Sequence, residues 1–145
     1  MNPREFLLLA EELVAGDTEA HWRSATSRAY YAAFHVARQL MEQCGFAVPA
    51  ADRAHRYLSD WLSNGRHAAT TQAGRWLDIL RRHRNEADYD LWRTLSRSEV
   101  EDMVSLAERI ILALEAAAAD DAVRAAITLA MRAYEAGRGE SSWRA

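Results

Sequence analysis

The segment EAHWRSATSRAYYAAFHVARQLMEQ, residues 19–43, decides the fold of this chain. It contains neither proline nor glycine, and Gly45 follows it as a stop signal for a helix. The segment is rich in alanine and in aromatic residues, which favours a long helix packed by its neighbours. We therefore expect a central helix over residues 19–43.

The flanking sequence predicts more helices. Asn2 followed by Pro3 is typical of a helix start, and that first helix should run to about Gly16. Asp52 is a candidate cap for a third helix, which should end at the turn signal Asn64-Gly65.

Two later helix starts are each open to two interpretations. Thr70 or Thr71 opens the fourth helix, and Ser96 or Ser98 caps the fifth. After an alanine run, residues 120 and 121 are both Asp, and either they lie within one long helix or they restart a sixth. The fold class predicted is all-α, with no internal repeat.

Four or five main helices occupy residues 1–115, a helical extension covers 116–136, and residues 137–145 form a flexible tail. Trp143 is unusual in so polar a tail. It is either a docking residue for a partner or a remnant of a tag or of packing.

Composition excludes several functions. The net charge is −3, and all 18 cations are Arg, so no lysine is available for a Schiff base or a P-loop. Cys44 is the single cysteine, which excludes an internal disulfide and a cysteine-rich zinc site. We expect no metal, no cofactor, no membrane span and a cytoplasmic location.

The decapeptide RRHRNEADYD, residues 81–90, changes from cationic to acidic within one segment. Arg84 and Asp88 are four residues apart and can pair on a helix surface. Arg84 and Tyr89 would lie about 140° apart on a regular helix, so they converge only if the helix ends or kinks between them. The low helix propensity of residues 88–90 predicts such an irregularity.

The central helix has a second notable pattern. Ser27, Tyr30, Tyr31 and Phe34 share one of its faces, and Arg28, Tyr31 and His35 share the next. Tyrosines at this spacing are usually core residues whose hydroxyls find a partner at the edge.

Three segments together resemble one family. RSATSRAYYAAFHVAR (23–38), AHRYL (54–58) and LRRHRNEADYDL (80–91) are similar to the HEPN superfamily, small helical domains of prokaryotic toxin and defence systems. The resemblance covers roughly residues 4–115. It implies an up-and-down helical bundle that forms a homodimer, in which the active-site strips of two protomers meet in a cleft.

The resemblance also implies site residues. In nuclease members an Arg, a polar residue and, a few positions later, a His end a core helix; Arg84 and Asn85 match the start, but Tyr89 occupies the expected His position. Phenols ordinarily titrate near pH 10 and imidazoles near 6.5, so Tyr89 is a weak substitute as a base. His55, in the matched AHRYL segment, is preferred to His35 and His83 as the replacement.

The predicted site thus has two parts. The catalytic residues are Arg84, Asn85, Tyr89 and His55. The RNA- or nucleotide-binding residues are Ser27, Arg28, Tyr31, Arg81 and Asp88. The arginines near residue 84 have a simpler alternative, since cations at a helix C-terminus oppose its negative end without any ligand.

Three functions follow as expectations from the resemblance. The first is an RNA-binding toxin or defence protein that is a metal-independent endoribonuclease, weakened by the loss of His. The second is a noncatalytic dimerising subunit that binds, or is modified by, a nucleotidyltransferase partner acting as antitoxin. The third is a structural module of a defence complex.

Overall fold

The computed structural model describes residues 1–144, which form six α-helices packed as a bundle and no strand. The helices are α1 (Arg4–Val14), α2 (Glu19–Gln43), α3 (Arg53–Asn64), α4 (Ala68–Tyr89), α5 (Arg97–Ala119) and α6 (Asp121–Arg138). The all-α prediction is confirmed. None of the helices in the described part of the chain is long and apolar enough to cross a membrane.

Helix α2 lies at the centre and packs against α1, α4 and α5. Five of its alanines, Ala25, Ala29, Ala32, Ala33 and Ala37, are completely buried. Their small side chains let the neighbouring helices approach closely, while the larger Tyr30, Leu40 and Met41 fill the remaining core. The central helix has the bounds that the sequence predicts.

Side-chain caps fix the ends of α5 and α6. Ser96 is the cap of α5 and forms a reciprocal capping box with Glu99. Asp120 accepts hydrogen bonds from the amides of Ala122 and Val123, at 3.0 and 3.1 Å. This cap ends the ambiguity at residues 120 and 121, because it makes α6 a separate helix.

The predicted start of α4 at Thr70 or Thr71 is wrong. The helix begins at Ala68, because Nδ1 of His67 accepts a hydrogen bond from the amide of Ala69 at 3.2 Å and acts as the cap. At its other end α4 stays helical through Tyr89. The helix thus ends within residues 88–90, as the sequence predicts, but it neither ends nor breaks between Arg84 and Tyr89.

Gly74 sets the spacing of α3 and α4. A Cβ atom at this position would lie 2.5 Å from the backbone nitrogen of Ser63, far inside contact distance. Only glycine therefore allows the two helices to approach this closely at the end nearest their connecting loop.

The C-terminal segment is packed, in contrast to the flexible tail that the sequence predicts. Trp143 pairs in an isolated backbone bridge with Phe46 of the same chain. Glu135, 3% exposed, accepts hydrogen bonds from the indole of Trp61 at 3.2 Å and from the amide of Ser142 at 2.7 Å. The segment packs because the amide of Ser142 donates to the buried carboxylate of Glu135 and the indole of Trp143 packs against the hydrophobic core. Residue 145 of the predicted tail lies outside the described residues.

Candidate functional site

The candidate site lies where α2, α3 and α4 meet. Four of its side chains come from α2, one comes from α3 and two come from α4. We call this group the Arg84 site; its members are Ser27, Arg28, Tyr30, Tyr31, His55, Arg84 and Asp88.

Arg84 is buried, with 8% of its surface exposed. Its position on α4 follows from helical spacing, since Leu80 and Ala87, four residues before and three after, are also buried core residues. Its guanidinium carbon lies 5.3 Å from the ring centre of Tyr30 and 5.4 Å from that of Tyr31. Aromatic faces attract a cation, and the attraction is stronger where water is excluded.

The guanidinium of Arg84 lacks the hydrogen bonds that burial normally demands. Its Nε is buried and has no partner within residues 1–144. The carboxylate paired with it, Asp88, has Oδ2 at 3.8 Å from Nη1, which is beyond hydrogen-bond length. Guanidinium carries five N–H donors, and buried donors are nearly always satisfied. The fold therefore leaves N–H groups of this arginine without an acceptor within residues 1–144.

Asp88 is oriented from α2. The hydroxyl of Ser27 donates to Oδ2 of Asp88 at 3.2 Å, and Nη2 of Arg28 lies 3.5 Å from the same hydroxyl oxygen. The hydrogen bond from Ser27 to Asp88 is a polar contact between α2 and α4. Because the hydroxyl of Ser27 donates a hydrogen bond to the Asp88 carboxylate, this carboxylate is less free to move toward Arg84.

Tyr31 contacts two guanidinium groups. The guanidinium carbon of Arg28 is 5.2 Å from its ring centre, close to the distance for Arg84, and Arg28 also lies 5.3 Å from the ring of Phe6. Tyr31 is only partly buried. The site thus presents two cations beside one aromatic ring, and guanidinium groups are good ligands for phosphate.

His55 enters the site from α3. Its Nδ1 lies 2.6 Å from the hydroxyl oxygen of Tyr30, and the two rings stack with centres 5.6 Å apart. Burial and then the Arg84 cation lower the pKa of His55, while Asp52 acts in the opposite direction. Burial raises the pKa of Tyr30 far above its ordinary value, so this phenol keeps its proton.

A second imidazole lies close by. His35 and His55 both contact the ring of Phe34, with ring centres 5.1 and 4.7 Å away. Burial and the cation of Arg38 lower the pKa of His35. Two neutral imidazoles therefore flank one apolar ring beside the Arg84 site.

The remaining predicted residues are placed less centrally. Arg81 donates to Asp78 at 2.8 Å, and its own Nε is buried without a partner within residues 1–144. Asn85 is partly buried and makes no side-chain hydrogen bond in that range. Tyr89 is 76% exposed and, on a regular α4, does not converge with Arg84. The structure thus brings together every predicted binding residue except Arg81, which stays at the edge, and joins His55 but neither Asn85 nor Tyr89 to them.

Two other histidines have structural positions. The Nδ1 of His21 lies 2.5 Å from the hydroxyl of Thr18 at the start of α2, and His67 caps α4. His83 is partly buried, and burial and the neighbouring Arg93 lower its pKa.

No group of three or more His, Cys, Asp or Glu side chains within residues 1–144 is arranged to hold a metal ion. A groove of about 450 Å³ lies between α6 and the residues that follow α3, with Arg66, Tyr134 and Arg138 in its lining. It contains no predicted site residue. We give the Arg84 site priority over this groove because only the former holds a buried cation without a hydrogen bond.

Sequence reasoning left Tyr30 out of the site. The helical spacing of Ser27, Tyr30 and Tyr31 was visible, but it is equally typical of a core face. The decisive contact joins Tyr30 to a residue 25 positions away, and no local pattern predicts that pairing.

The fold and the site together define a small all-α domain whose central helix supports a buried, electropositive and aromatic-lined polar site. The family model described as HEPN domain matches residues 4–117, so the chain belongs to the HEPN family. No curated protein matches the chain significantly. No solved structure does so either.

Proposed function

We propose that this HEPN protein binds RNA as a component of a prokaryotic toxin–antitoxin or defence system and is a weak, metal-independent endoribonuclease. The observation that carries the proposal is the buried guanidinium of Arg84, whose Nε has no hydrogen-bond partner within residues 1–144. Guanidinium matches phosphate oxygens in a bidentate geometry, which makes an RNA phosphate a fitting acceptor.

The surroundings of Arg84 support an RNA ligand. Arg28 supplies a second cation against the Tyr31 ring, and this ring is only partly buried, which favours an aromatic contact with a base. A chain of net charge −3 gains little from long-range attraction to RNA, so binding depends on this local arrangement.

The expected cleavage is weak because Tyr89 stands where the resemblance expects His, and its side chain is 76% exposed. Cleavage of RNA without metal needs a proton acceptor for the 2′-hydroxyl and a donor for the leaving oxygen. His35 and His55 are the two imidazoles beside the site, and one of them would have to replace the missing His in proton transfer.

The test is incubation of single-stranded RNA with the protein in excess chelator. We expect slow cleavage by the wild type and none by Arg84→Ala. Arg82→Ala is the matched control, because Arg82 lies on the same helix with its side chain 64% exposed, and it should retain activity. If the wild type binds RNA but cuts none, the nuclease part of the proposal fails. If it neither binds nor cuts, the RNA-binding part fails too.

A second candidate function has its own observation. The exposed hydroxyl of Tyr89 is accessible to an enzyme, which favours a noncatalytic subunit modified by a nucleotidyltransferase antitoxin. Incubation with ATP and a nucleotidyltransferase encoded beside this chain should then add a nucleotide, detected by intact-mass spectrometry, and Tyr89→Phe should prevent the addition. An unchanged wild-type mass would leave a structural module of a defence complex as the alternative to the RNA function.

The proposal includes a homodimer, the assembly that the resemblance implies. Tyr89, Leu91 and Trp92 are 76, 76 and 98% exposed just beyond the Arg84 site, and their burial between two copies would favour association. Light scattering on a size-exclusion column should give twice the mass of one chain. A monomer at micromolar concentration would overturn this part of the proposal.

A further inference from the structure

The hydrogen bond between Tyr30 and His55 carries information about proton positions. The hydroxyl oxygen of Tyr30 lies 2.6 Å from Nδ1 of His55, and Tyr30 is completely buried. Within residues 1–144 this hydroxyl has no other hydrogen-bond partner. Either Tyr30 donates to Nδ1, or Nδ1–H donates to the hydroxyl oxygen.

Burial decides between the two directions. If Nδ1–H were the donor, the hydroxyl hydrogen of Tyr30 would be buried with no acceptor, which is the costly case for a polar group. If Tyr30 donates, both groups are satisfied. Because burial raises the pKa of Tyr30, the phenol has a proton to give. The Nδ1 atom of His55 is therefore an acceptor.

An imidazole that accepts at Nδ1 while neutral carries its proton on Nε2. Burial lowers the pKa of His55, which favours this neutral form near pH 7. The titratable and charged groups that face His55 come from α2, from the start of α3 and from α4. They are Tyr30, Tyr31 and His35, then Asp52, then Arg81 and Arg84.

We propose that His55 serves the Arg84 site as a neutral hydrogen-bond donor, giving its Nε2–H to a phosphate oxygen of the RNA ligand, and that Tyr30 is the positioning residue that holds His55 in this form. This inference rests on the function proposed above. His55 and Arg84 both contact the rings of Tyr30 and Tyr31, so the two side chains lie beside the same pair of aromatic groups.

The consequence concerns the chemistry of the site. An Nε2 atom that already carries a proton cannot take one from a 2′-hydroxyl group. His55 then strengthens phosphate binding without acting as the base, which leaves His35 as the nearest imidazole for that role. A site rich in donors and poor in acceptors binds RNA more effectively than it cuts it.

Nuclear magnetic resonance reads the tautomer directly. In protein labelled with ¹⁵N-histidine, long-range proton–nitrogen correlation at pH 7.5 should show His55 protonated on Nε2 alone. Tyr30→Phe removes the donor, so we expect a mixture of tautomers and a rise in the pKa of His55, with the melting transition by circular dichroism confirming a folded variant. A wild-type spectrum with the proton on Nδ1 would overturn the inference.

Replacement of His55 tests the role in binding. Glutamine can place an amide N–H where the imidazole carries its Nε2–H, whereas leucine has similar bulk and no donor. By fluorescence anisotropy with a labelled single-stranded RNA, His55→Gln should bind within about threefold of wild type and His55→Leu at least about tenfold more weakly. Equal losses in the two variants would contradict the donor role.

The two proposals fail in distinguishable ways. A wild-type protein that binds no RNA overturns the function proposed above and the phosphate role of His55, while the tautomer is still judged by the spectrum. Wild-type binding combined with a proton on Nδ1, or with equal losses in the two His55 variants, overturns this inference alone.

Discussion

Arg23 and Arg84 have similarly enclosed side chains, 12 and 10% exposed, yet their hydrogen bonding is opposite. Arg23 donates to Glu19 and to the backbone carbonyls of Glu86, Ala87, Asp90 and Arg93. It thereby satisfies the open carbonyls at the end of α4 and holds the loop that follows.

The guanidinium of Arg84 has its Nε unpaired within residues 1–144 and a carboxylate only at 3.8 Å. The contrast teaches that burial alone does not show whether an arginine is held by hydrogen bonds within the fold. The difference lies in whether the fold supplies acceptors for the N–H groups.

The largest effect should come from Arg23→Ala. This change removes the donor from the carbonyls of Ala87, Asp90 and Arg93 and releases the loop after α4, so we expect a loss of about 3 kcal/mol in the free energy of unfolding. Urea denaturation followed by circular dichroism measures it. A loss below about 1 kcal/mol would show that water replaces Arg23 without penalty and would remove the structural half of the comparison.

Arg84→Met should increase the free energy of unfolding and weaken RNA binding. The variant keeps much of the side-chain bulk and removes a buried charge that lacks hydrogen bonds, so the unfolding free energy should rise by about 1 kcal/mol. RNA affinity should fall about 10- to 100-fold, the usual range for losing charge-assisted hydrogen bonds. Parallel urea titrations and anisotropy measurements check both, and a destabilised Arg84→Met would mean that Arg84 is as structural as Arg23.

The pH dependence of stability gives a second comparison, because three histidines have lowered pKa values. The pKa values of His35, His55 and His83 are lowered in the folded protein, so the unfolded chain binds more protons as the pH falls through about 6.5. Stability is therefore fully present above that pH and should decrease between pH 7.5 and 5.5. Because the Arg84 cation helps to lower the pKa of His55, Arg84→Met should reduce this slope. Melting temperatures across the pH range test it, and an unchanged slope in the variant would separate Arg84 from His55.

The smallest effect should come from Trp92→Ser. Trp92 is 98% exposed in the single protomer, on the loop that Arg23 holds, so at a protein concentration where the chain is monomeric the unfolding free energy should change by no more than about 0.5 kcal/mol. The same urea titration used for Arg23→Ala detects a larger change. A loss comparable to that of Arg23→Ala would mean that Trp92, and not the backbone contacts of Arg23, holds the loop.

The sequence predicts the parts of the fold that depend on local signals. The limits of α2 follow from its uninterrupted composition and from Gly45. The start of α5 follows from a Ser with a Glu three residues later, a pattern that fits Ser96 and Ser98 equally, and the structure selects Ser96. The start of α4 was missed because histidine at position 67 is an uncommon cap. The docked C-terminus was missed because Glu135 needs donors from distant residues, and no local pattern shows that.

The site likewise has residues that the local sequence predicts and contacts that it does not predict. Residues on two neighbouring faces of α2 are predictable because helical geometry places Ser27 beside Tyr31 on one face and Arg28 beside Tyr31 on the next. The exposure of Tyr89 follows from the persistence of α4, which outweighs the low propensity of its last residues. Neither the contact of Tyr30 with His55 nor the unpaired state of Arg84 has a sequence signal, since both arise from packing between helices.

The close contact at Gly74 has a consequence for the distant end of the same helix pair. Arg84 lies ten residues further along α4, about 15 Å away, and His55 lies toward the far end of α3 from Ser63. Any side chain at position 74 would push α3 and α4 apart beside their connecting loop. It would thereby change the angle between the two helices. The distance between His55 and Arg84 therefore depends on Gly74, a residue that contacts neither of them.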